Sequence, residues 1–258
     1  MGVVNVTPDS FSDGGRFLDP IAAIAHAHKL IEEGADLVDL GAESSRPGAA
    51  ALVSPDEELR RLLPVLQELR DAPVPVSVDT IKPEVMRAVL AEGASMINDI
   101  NAMRSPGAFA AVAASGAAVC LMHMQGTPGT MQQQPNYGDV VAEVQAFLQE
   151  RVRAARDAGI AAERIAVDPG FGFGKTLEHN LELLRHLREF AALGAPLLAG
   201  WSRKSSLGKI TGKPAGDRLA ASIAAALIAA QNGARILRVH DVAATRDALA
   251  VLAAVEKT

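Results

Sequence analysis

The sequence has little of three features that would point to particular classes of protein. It contains one cysteine, Cys120, which excludes a disulfide framework and any cysteine-rich zinc or iron–sulfur site. Aromatic residues make up 3% of the chain, too few to supply stacking platforms for single-stranded nucleic acid. Lys and Arg number 25 against 30 Asp and Glu, so nothing in the overall charge favours nucleic acid or an anionic membrane surface as a partner.

A targeting segment and a membrane span are missing as well. Residues 1–15 have no basic region followed by a long apolar run, which a secretory signal peptide would need. The most apolar stretch, residues 219–237, is interrupted by Gln231, Asn232 and Arg235. This stretch is therefore predicted to be a buried helix that runs into a strand. We expect a soluble protein with a cytoplasmic location.

What the sequence does contain is typical of a folded α/β protein. The chain is 49% hydrophobic and 21% charged, and its 258 residues suit one large domain over residues 1–258. Eight short aliphatic runs, continuous enough for strands buried on both faces, are predicted at residues 2–6, 36–41, 74–79, 95–99, 117–123, 164–168, 196–200 and 234–240. Helical stretches lie between them, for example residues 20–33, 55–70, 83–92, 139–158 and 216–232.

Strand and helix alternate about every 32 residues, a spacing that predicts a single-domain (β/α)8 TIM barrel. Several of the helical stretches end at a glycine, which is a common stop signal. A doubly wound open sheet is the alternative architecture. It is disfavoured because no glycine-rich dinucleotide fingerprint follows the first strand.

Every predicted strand ends in polar or ionisable residues. Taken in chain order, these residues are Asn5, Asp39, Asp79, Asn98, His123, Asp168, Ser202 with Lys204, and Arg238 with His240. Each one alone is explained equally well as a helix cap or a turn residue. In a barrel, however, the carboxyl ends of all eight strands meet at one mouth, where chemistry collects. The set therefore predicts a polar binding site.

The chemistry of these residues predicts two kinds of recognition. Asp79, Asn98, Asp168 and Lys204 offer acceptors and donors for a flat, hydrogen-bonding heterocycle. Asp168 in particular is suited to accept two parallel N–H bonds from an aminopyrimidine edge.

A separate cluster of Asn5, Arg46, Arg238 and His240 is suited to phosphate oxygens. The amide oxygen of Asn5 is sufficient to help hold a Mg²⁺ ion that bridges a diphosphate. The six histidines show no spacing typical of a histidine metal site.

Several loops are singled out by their composition. Residues 7–17 and 41–47 follow the first two strands directly, so they are predicted to close over the mouth as lids. Residues 124–138 are interpreted as an ordinary surface loop. The glycines of residues 170–174 do not have P-loop spacing, and we expect them to let a flat ligand approach the backbone, with Phe173 as an apolar wall.

Seven motifs together resemble the dihydropteroate synthase family, folate-pathway enzymes that join a pterin to p-aminobenzoate. They are NVTPDSFSDGG (5–15), GAESSRPG (41–48), SVDT (77–80), INDI (97–100), DPGFGFGK (168–175), SRKS (202–205) and RVHD (238–241). The resemblance covers essentially the whole chain in the right order. It implies a (β/α)8 barrel, in agreement with the periodicity.

The resemblance also implies roles for individual residues. Residues implied to hold the pterin are Asp79, Asn98, Asp168 and Lys204. Those implied to hold the diphosphate and its Mg²⁺ are Asn5, Arg238 and His240. Residues implied to lie near p-aminobenzoate or on the second lid are Ser45, Arg46, Phe173 and Ser205. The catalytic set expected from this resemblance is Asp79, Asp168, Lys204, Arg238 and His240.

The sequence departs from the family pattern at two places. Ser45 stands where the family usually has Thr, and the N-terminal hairpin that usually precedes the first strand is expected to be absent. The resemblance further implies a homodimer and sensitivity to sulfonamides. Two alternatives remain open, a pterin-binding methyltransferase and a catalytically silent paralogue. The methyltransferase would not need Arg238 and His240, and the silent paralogue would have lost a site residue.

Overall fold

The computed structural model describes residues 1–6, 20–43 and 53–256. The predicted lid segments, apart from residues 41–43, lie outside the described residues together with Ser45 and Arg46, so their positions stay predictions. Within the described ranges, no helix is long and apolar enough to cross a membrane.

The described residues form eight parallel strands that follow one another around a barrel in chain order. The strands are β1 (Gly2–Asn5), β2 (Val38–Gly41), β3 (Val76–Asp79), β4 (Met96–Asp99), β5 (Ala118–Met122), β6 (Ile165–Asp168), β7 (Leu197–Ala199) and β8 (Ala234–Leu237). The last strand returns to the first, because Val3 N donates to Val239 O at 3.0 Å and Val239 N donates to Met1 O at 2.9 Å. The predicted (β/α)8 barrel is confirmed.

Helices connect the strands on the outside of the barrel. They are α1 (Pro20–Glu32), α2 (Pro55–Glu68), α3 (Pro83–Ala91), α4 (Ala108–Ser115), α5 (Val140–Asp157), α6 (Leu177–Arg185), α7 (Ser205–Thr211), α8 (Leu219–Gln231) and α9 (Val242–Glu256). Local sequence fixes their ends: Ser54 caps α2 by accepting from Glu57 N, and Asp139 caps α5 by accepting from Val141 N. The helix predicted from residue 216 begins instead at Leu219, because a 3₁₀ turn occupies Ala215–Asp217.

Apolar side chains fill the amino-terminal half of the barrel interior and the layer between strands and helices. Met96, Cys120 and Leu198 pack together inside the barrel, and Cys120 is fully buried as predicted. Burial raises the pKa of the Cys120 thiol, so this side chain is a small hydrophobe in the core. Polar inward-facing residues are left to the carboxyl ends of the strands, which is where the candidate site lies.

Candidate active site

The predicted site residues come together at the carboxyl ends of the strands. Asn5, Asp79 and Asp168 are the last residues of β1, β3 and β6. Asn98 lies in β4, opposite Asp79 in the strand register. Lys204 immediately precedes α7, and Arg238 and His240 immediately follow β8.

Arg238 links the carboxylates of this end to one another. Its Nε lies 2.6 Å from Oδ2 of Asp39, and its Nη2 lies 3.2 Å from Oδ2 of Asp79. Asn98 Nδ2 also donates to Asp39 Oδ2, at 3.2 Å. The predicted separation of Arg238 from the carboxylates is therefore wrong, since its guanidinium lies among them. Its role toward phosphate stays a prediction. Two of its five N–H donors are used in these bonds.

Asp39 is a residue of this network that was predicted among the polar strand ends but in neither recognition cluster. Its side chain is completely buried, and its second oxygen, Oδ1, has no hydrogen-bond partner among the described residues. A buried ionised carboxylate is costly unless it is paired, and Arg238 supplies the pairing charge. The signal was present in the sequence as an acidic residue inside an otherwise aliphatic strand.

The electrostatics of this network follow from its burial. Burial raises the pKa of Asp79 to about 7, against the opposing effect of Arg238, and the neighbouring carboxylate of Asp39 adds to the rise. For Arg238, burial lowers the pKa, but Asp39 and Asp79 together more than compensate and raise it. The network therefore keeps a permanent cation beside a carboxyl group that titrates close to neutral pH.

Asp168 and Lys204 form the second charged part of the site. Asp168 is buried and its Oδ1 accepts a hydrogen bond from Gly170 N at 2.7 Å. Burial raises the pKa of Asp168, while the nearby Lys204 acts to lower it. Lys204 Nζ donates to Phe171 O and lies 4.9 Å from the centre of the Phe173 ring. Burial lowers the pKa of Lys204 to about 8, although the charge of Asp168 raises it.

The glycines of residues 170–174 serve close packing within the protein. All three have positive φ, and a Cβ on Gly170 would lie 1.9 Å from His123 O, while one on Gly174 would lie 2.6 Å from Gln125 O. At these two positions the missing side chain makes room for backbone of the protein itself, and the approach of a flat ligand to this loop stays a prediction. At Gly172 the nearest atom is Cδ of Lys204, at 3.3 Å.

Phe173 borders a small apolar cluster at this end of the barrel. The members of this cluster are Ile100, Met122, Met124 and Met131, with Ile81 and Phe173 packed against them. In the register, Met122 is the partner of Asp168, so apolar and charged groups lie side by side. An apolar wall beside a carboxylate suits a flat, partly polar ring system.

His240 and His123 were both predicted at the mouth, but the structure places them in different surroundings. His240 stays at the mouth, where its Nδ1 lies 2.9 Å from Ser202 Oγ and its backbone N donates to the same oxygen at 3.2 Å. His123 does not face the mouth as predicted. It is buried against Phe147 of α5, at 4.9 Å between ring centres, and beside Lys175.

The segment of residues 124–138 contacts the glycine loop directly, which the interpretation as an ordinary surface loop did not anticipate. Gln132 Nε2 donates to Gly172 O at 2.5 Å, and the Tyr137 hydroxyl donates to Gly174 O at 2.8 Å. The segment is thus tied to the backbone that follows Asp168.

The residues that the structure describes form no metal site built from side chains alone. Among them, no group of three or more His, Cys, Asp or Glu side chains is placed to hold a metal ion. The half-buried amide of Asn5, at the end of β1, is a hard oxygen donor at this mouth. Such a donor set fits a Mg²⁺ ion that takes one or two ligands from the protein and the rest from phosphate oxygens and water.

Comparison with known proteins gives one family and close relatives. The family model described as "Pterin binding enzyme" matches residues 1–240. The dihydropteroate synthase of Escherichia coli K12 is 51% identical over 255 residues, which cover 98% of this chain and 90% of that protein.

Solved structures agree with this match along the whole chain. The dihydropteroate synthase of Xanthomonas albilineans with 4-aminobenzoic acid is 56% identical, with a TM-score of 0.94, and the alignment covers 100% of this chain and 92% of that chain. A complex of the same species' enzyme with 7,8-dihydropteroate has a TM-score of 0.91 at 53% identity, covering 100% and 93%. The Yersinia pestis dihydropteroate synthase, solved with a sulfonamide drug, has a TM-score of 0.95 at 46% identity, covering 100% and 94%.

Proposed function

This chain belongs to the pterin-binding enzyme family, among its dihydropteroate synthases, and on that premise we propose how its residues carry out the reaction. The substrates are 6-hydroxymethyl-7,8-dihydropterin diphosphate and p-aminobenzoate, and the products are 7,8-dihydropteroate and diphosphate. The reaction is a transfer of the pterinylmethyl group to an arylamine. The observation that carries the proposal is the pair of carboxylates, half-buried Asp79 and buried Asp168, on the same barrel end as Lys204 and Arg238.

The pterin is held by the acceptors and donors of the barrel end. Asp168 accepts from the N–H groups of the aminopyrimidine edge, and Asn98 and Lys204 supply donors to its oxygen and ring nitrogens. The hydrogen bonding of Asp168 supports this assignment. Gly170 N donates to its Oδ1, and the carboxylate has further lone pairs that can accept from the pterin. The apolar cluster that includes Phe173 and Met122 provides a surface for the flat ring.

The diphosphate lies toward Asn5, Arg238 and His240 in this proposal. When bound, Mg²⁺ neutralises charge on the diphosphate, with Asn5 as its ligand from the protein. Arg238 and His240 stabilise the negative charge that develops as the diphosphate departs, and stabilisation of this kind is usually the largest catalytic contribution. The rigidity of Arg238, fixed by two carboxylates, supports this role because a fixed dipole or charge needs no reorganisation.

The bond changes at the methylene carbon need no strong base. The C–O bond to the diphosphate breaks with its electron pair on oxygen, and the carboxylates of Asp79 and Asp168 favour the positive charge left on the pterin. The amine of p-aminobenzoate then forms the new C–N bond and loses one proton. Because an arylamine is neutral at pH 7, positioning is sufficient to make it attack.

The p-aminobenzoate is placed beside Phe173 and Ser205. Its carboxylate would lie toward the start of α7, where Ser205 is the first helical residue. Ser45 and Arg46, which the family resemblance also assigns to this substrate, lie outside the described residues. A sulfonamide, which mimics the arylamine, would compete for this place.

The first experiment is a measurement of diphosphate release from the pterin diphosphate with Mg²⁺, with and without p-aminobenzoate. We expect release that depends on p-aminobenzoate, with 7,8-dihydropteroate appearing in equal amount. Tight pterin binding without release would instead identify a silent paralogue. A pterin-binding methyltransferase would bind the pterin without needing the diphosphate.

The pH dependence of kcat/KM for the pterin substrate should be bell-shaped. Asp79 must be ionised to favour the cation, and its pKa is raised to about 7, so kcat/KM rises as the pH passes about 7. Lys204 must be protonated to donate, and its pKa is lowered to about 8, so kcat/KM falls above about pH 8. Lys204→Arg serves as the matched variant, because an arginine stays charged and should remove the alkaline fall. A profile that is flat from about pH 6 to about pH 9 would contradict both assignments.

We also propose that the protein is a homodimer. Four apolar side chains are 45–67% exposed on adjacent helices, namely Leu219 and Ile228 of α8 and Val251 and Val255 of α9. Covering these side chains in a dimer would remove apolar surface from water. The cytoplasmic location and the absence of nucleic-acid partners stay predictions of the sequence.

A further inference from the structure

Lys175 is a buried lysine whose amine group is surrounded by neutral acceptors, and burial lowers its pKa well below the usual value, against the charge of Asp168. Its side chain is 3% exposed, and its Nζ lies 2.9 Å from each of three atoms: Gly170 O, Phe173 O and His123 Nδ1. A fourth acceptor, His123 O, lies at 3.4 Å. When protonated, this group has three N–H donors, and the three short contacts use all of them. Such an arrangement is costly to build, and it is not required by the barrel architecture.

The imidazole of His123 is prepared to accept from this amine group. Burial, together with the nearby Lys175, lowers the pKa of His123 to about 2, so the ring is neutral, and in the tautomer with its proton on Nε2 the Nδ1 atom accepts from Lys175. The ring is fixed by packing, edge-on against Phe147 at 4.9 Å and tilted against Tyr137 at 6.1 Å between centres. The position of the amine group is therefore fixed from the β5 side.

The two carbonyl groups that Lys175 binds belong to the loop between Asp168 and α6. Gly170, Gly172 and Gly174 all have positive φ, and glycine has no side chain through which a loop can be anchored. Inside this loop, one turn is closed by Phe173 N donating to Gly170 O at 3.1 Å. The amine group binds that same carbonyl oxygen and the carbonyl of Phe173, so it ties the turn together from the inside.

The opposite side of this loop forms part of the candidate active site. Phe171 O accepts from Lys204, and the Phe173 ring lies under the Lys204 ammonium. Asp168 begins the loop and is bonded to its Gly170 amide. A shift in the turn would move Phe171, Phe173 and therefore Lys204 away from Asp168.

We propose that Lys175 is a positioning residue for the reaction: its amine group holds the loop of residues 169–174 in the conformation in which Asp168 and Lys204 meet the pterin. The proposal rests on the proposed function for the identity of the ligand. Lys175 does not touch the substrate; it acts through the carbonyl groups of Gly170 and Phe173. This role explains why a lysine is buried at a position where an uncharged side chain would cost less free energy to bury.

The test is Lys175→Met, which keeps the length of the side chain and removes its donors. The dissociation constant of 6-hydroxymethyl-7,8-dihydropterin diphosphate with Mg²⁺ is measured by calorimetry, and kcat and KM are measured in steady state. We expect the dissociation constant and KM for the pterin to rise about 10- to 100-fold, with a smaller fall in kcat. Lys209→Met is the matched control, because Lys209 is an exposed lysine of α7, and it should bind as the wild type does.

Amide hydrogen exchange supplies a readout that does not depend on any substrate. Exchange at Gly172 and Phe173 should accelerate at least about tenfold in Lys175→Met while the strands keep their protection. Wild-type protein that releases no diphosphate would overturn the proposed function, whereas the exchange result would still decide whether Lys175 ties the loop. A folded Lys175→Met protein with wild-type exchange, or with pterin binding within twofold of wild type, would overturn the positioning role.

A second variant covers the case in which Lys175→Met does not fold. His123→Leu keeps the amine group and its two short carbonyl contacts but removes the Nδ1 acceptor. Pterin binding should then weaken about threefold to tenfold, less than in Lys175→Met, because the two contacts to the loop carbonyl groups remain. Binding unchanged in this variant would also overturn the proposal.

Discussion

Asp168→Asn should lower kcat/KM for the pterin substrate by about 10²- to 10⁴-fold and leave the barrel folded. The wild-type carboxylate offers two oxygens, and Gly170 N holds Oδ1 at 2.7 Å. In the variant the amide oxygen can keep that bond, which places the NH₂ group where Oδ2 was. Donors of the side chain then face donors of the aminopyrimidine edge.

The size of the effect follows from the bonds lost. Two hydrogen bonds to a charged acceptor are worth about 1.5–3 kcal/mol each, which together correspond to about 10²- to 10⁴-fold in rate. The loss of the Asp168 charge also removes an influence that raises the pKa of Lys204. The two proteins are therefore best compared over a range of pH, because the part of the loss that comes from deprotonation of Lys204 should shrink as the pH is lowered.

Asp36→Asn provides the matched control for this prediction. Asp36 is a carboxylate at the other end of the barrel, 78% exposed and paired with Arg246 on the surface. The same chemical change there should leave kcat/KM within about twofold of the wild type. If Asp168→Asn kept turnover within a few-fold of the wild type, the account of pterin binding given above would be wrong.

The barrel was predictable from the sequence because its signals are local. Each strand is a continuous aliphatic run, and helices such as α2 begin at a Ser-Pro step that supplies both the cap and a proline at the first turn. Observed strands fall inside the predicted ranges, for example Met96–Asp99 within residues 95–99. These patterns depend on neighbours in the chain and need no knowledge of the fold.

The Arg238 network was not predictable in the same way. Arg238 and Asp39 are 199 residues apart, and only the return of β8 to the start of the chain brings them within 2.6 Å. The residue types at the mouth were visible, but their pairing depends on the closure of the barrel. That is why a phosphate cluster separate from the carboxylates looked reasonable from the sequence.

The alternation of side chains along a strand would have improved two assignments. Successive residues of a strand point to opposite faces, so Cys120 and Met122 face the barrel interior and His123 must face the helices. The same rule places Asp39 inside the barrel, two residues from Leu37. A polar residue next to a strand end therefore faces the mouth of the barrel only if its position has the inward parity.

Arg238→Met should lower the free energy of unfolding by about 3–5 kcal/mol at pH 8, because it leaves a buried carboxylate without its partner. The side chain of Asp39 is 0% exposed, and those of Arg238 and Asp79 are only 23% and 19% exposed, so solvent does little to screen these pairs. Urea unfolding followed by circular dichroism measures the change. Both carboxylates lose the cation that stabilises their charged forms.

The pKa of Asp79 determines how this loss of stability depends on pH. Its folded-state pKa is raised by burial to about 7, well above the unfolded value, so the folded protein binds the proton more tightly. Stability therefore falls as the pH rises from about 4 and stops falling once the pH passes the folded pKa. Arg238 acts to lower that pKa, so its removal moves the end of the fall above about pH 7. The difference between the wild type and Arg238→Met should widen above pH 7 and be smallest under acid conditions.

Arg246→Met is the control for this prediction. It distinguishes the effect of losing a buried ion pair from the effect of losing an arginine at the surface. Arg246 pairs with Asp36 at 3.1 Å, but the two side chains are 52% and 78% exposed. Exposed pairs contribute about 0–1 kcal/mol, so this variant should unfold nearly as the wild type does. If Arg238→Met cost no more than Arg246→Met at pH 8, Asp39 would not need a cation in the folded state. The role of Arg238 would then be confined to substrate binding, and the network would not be what sets the charge at the mouth of the barrel.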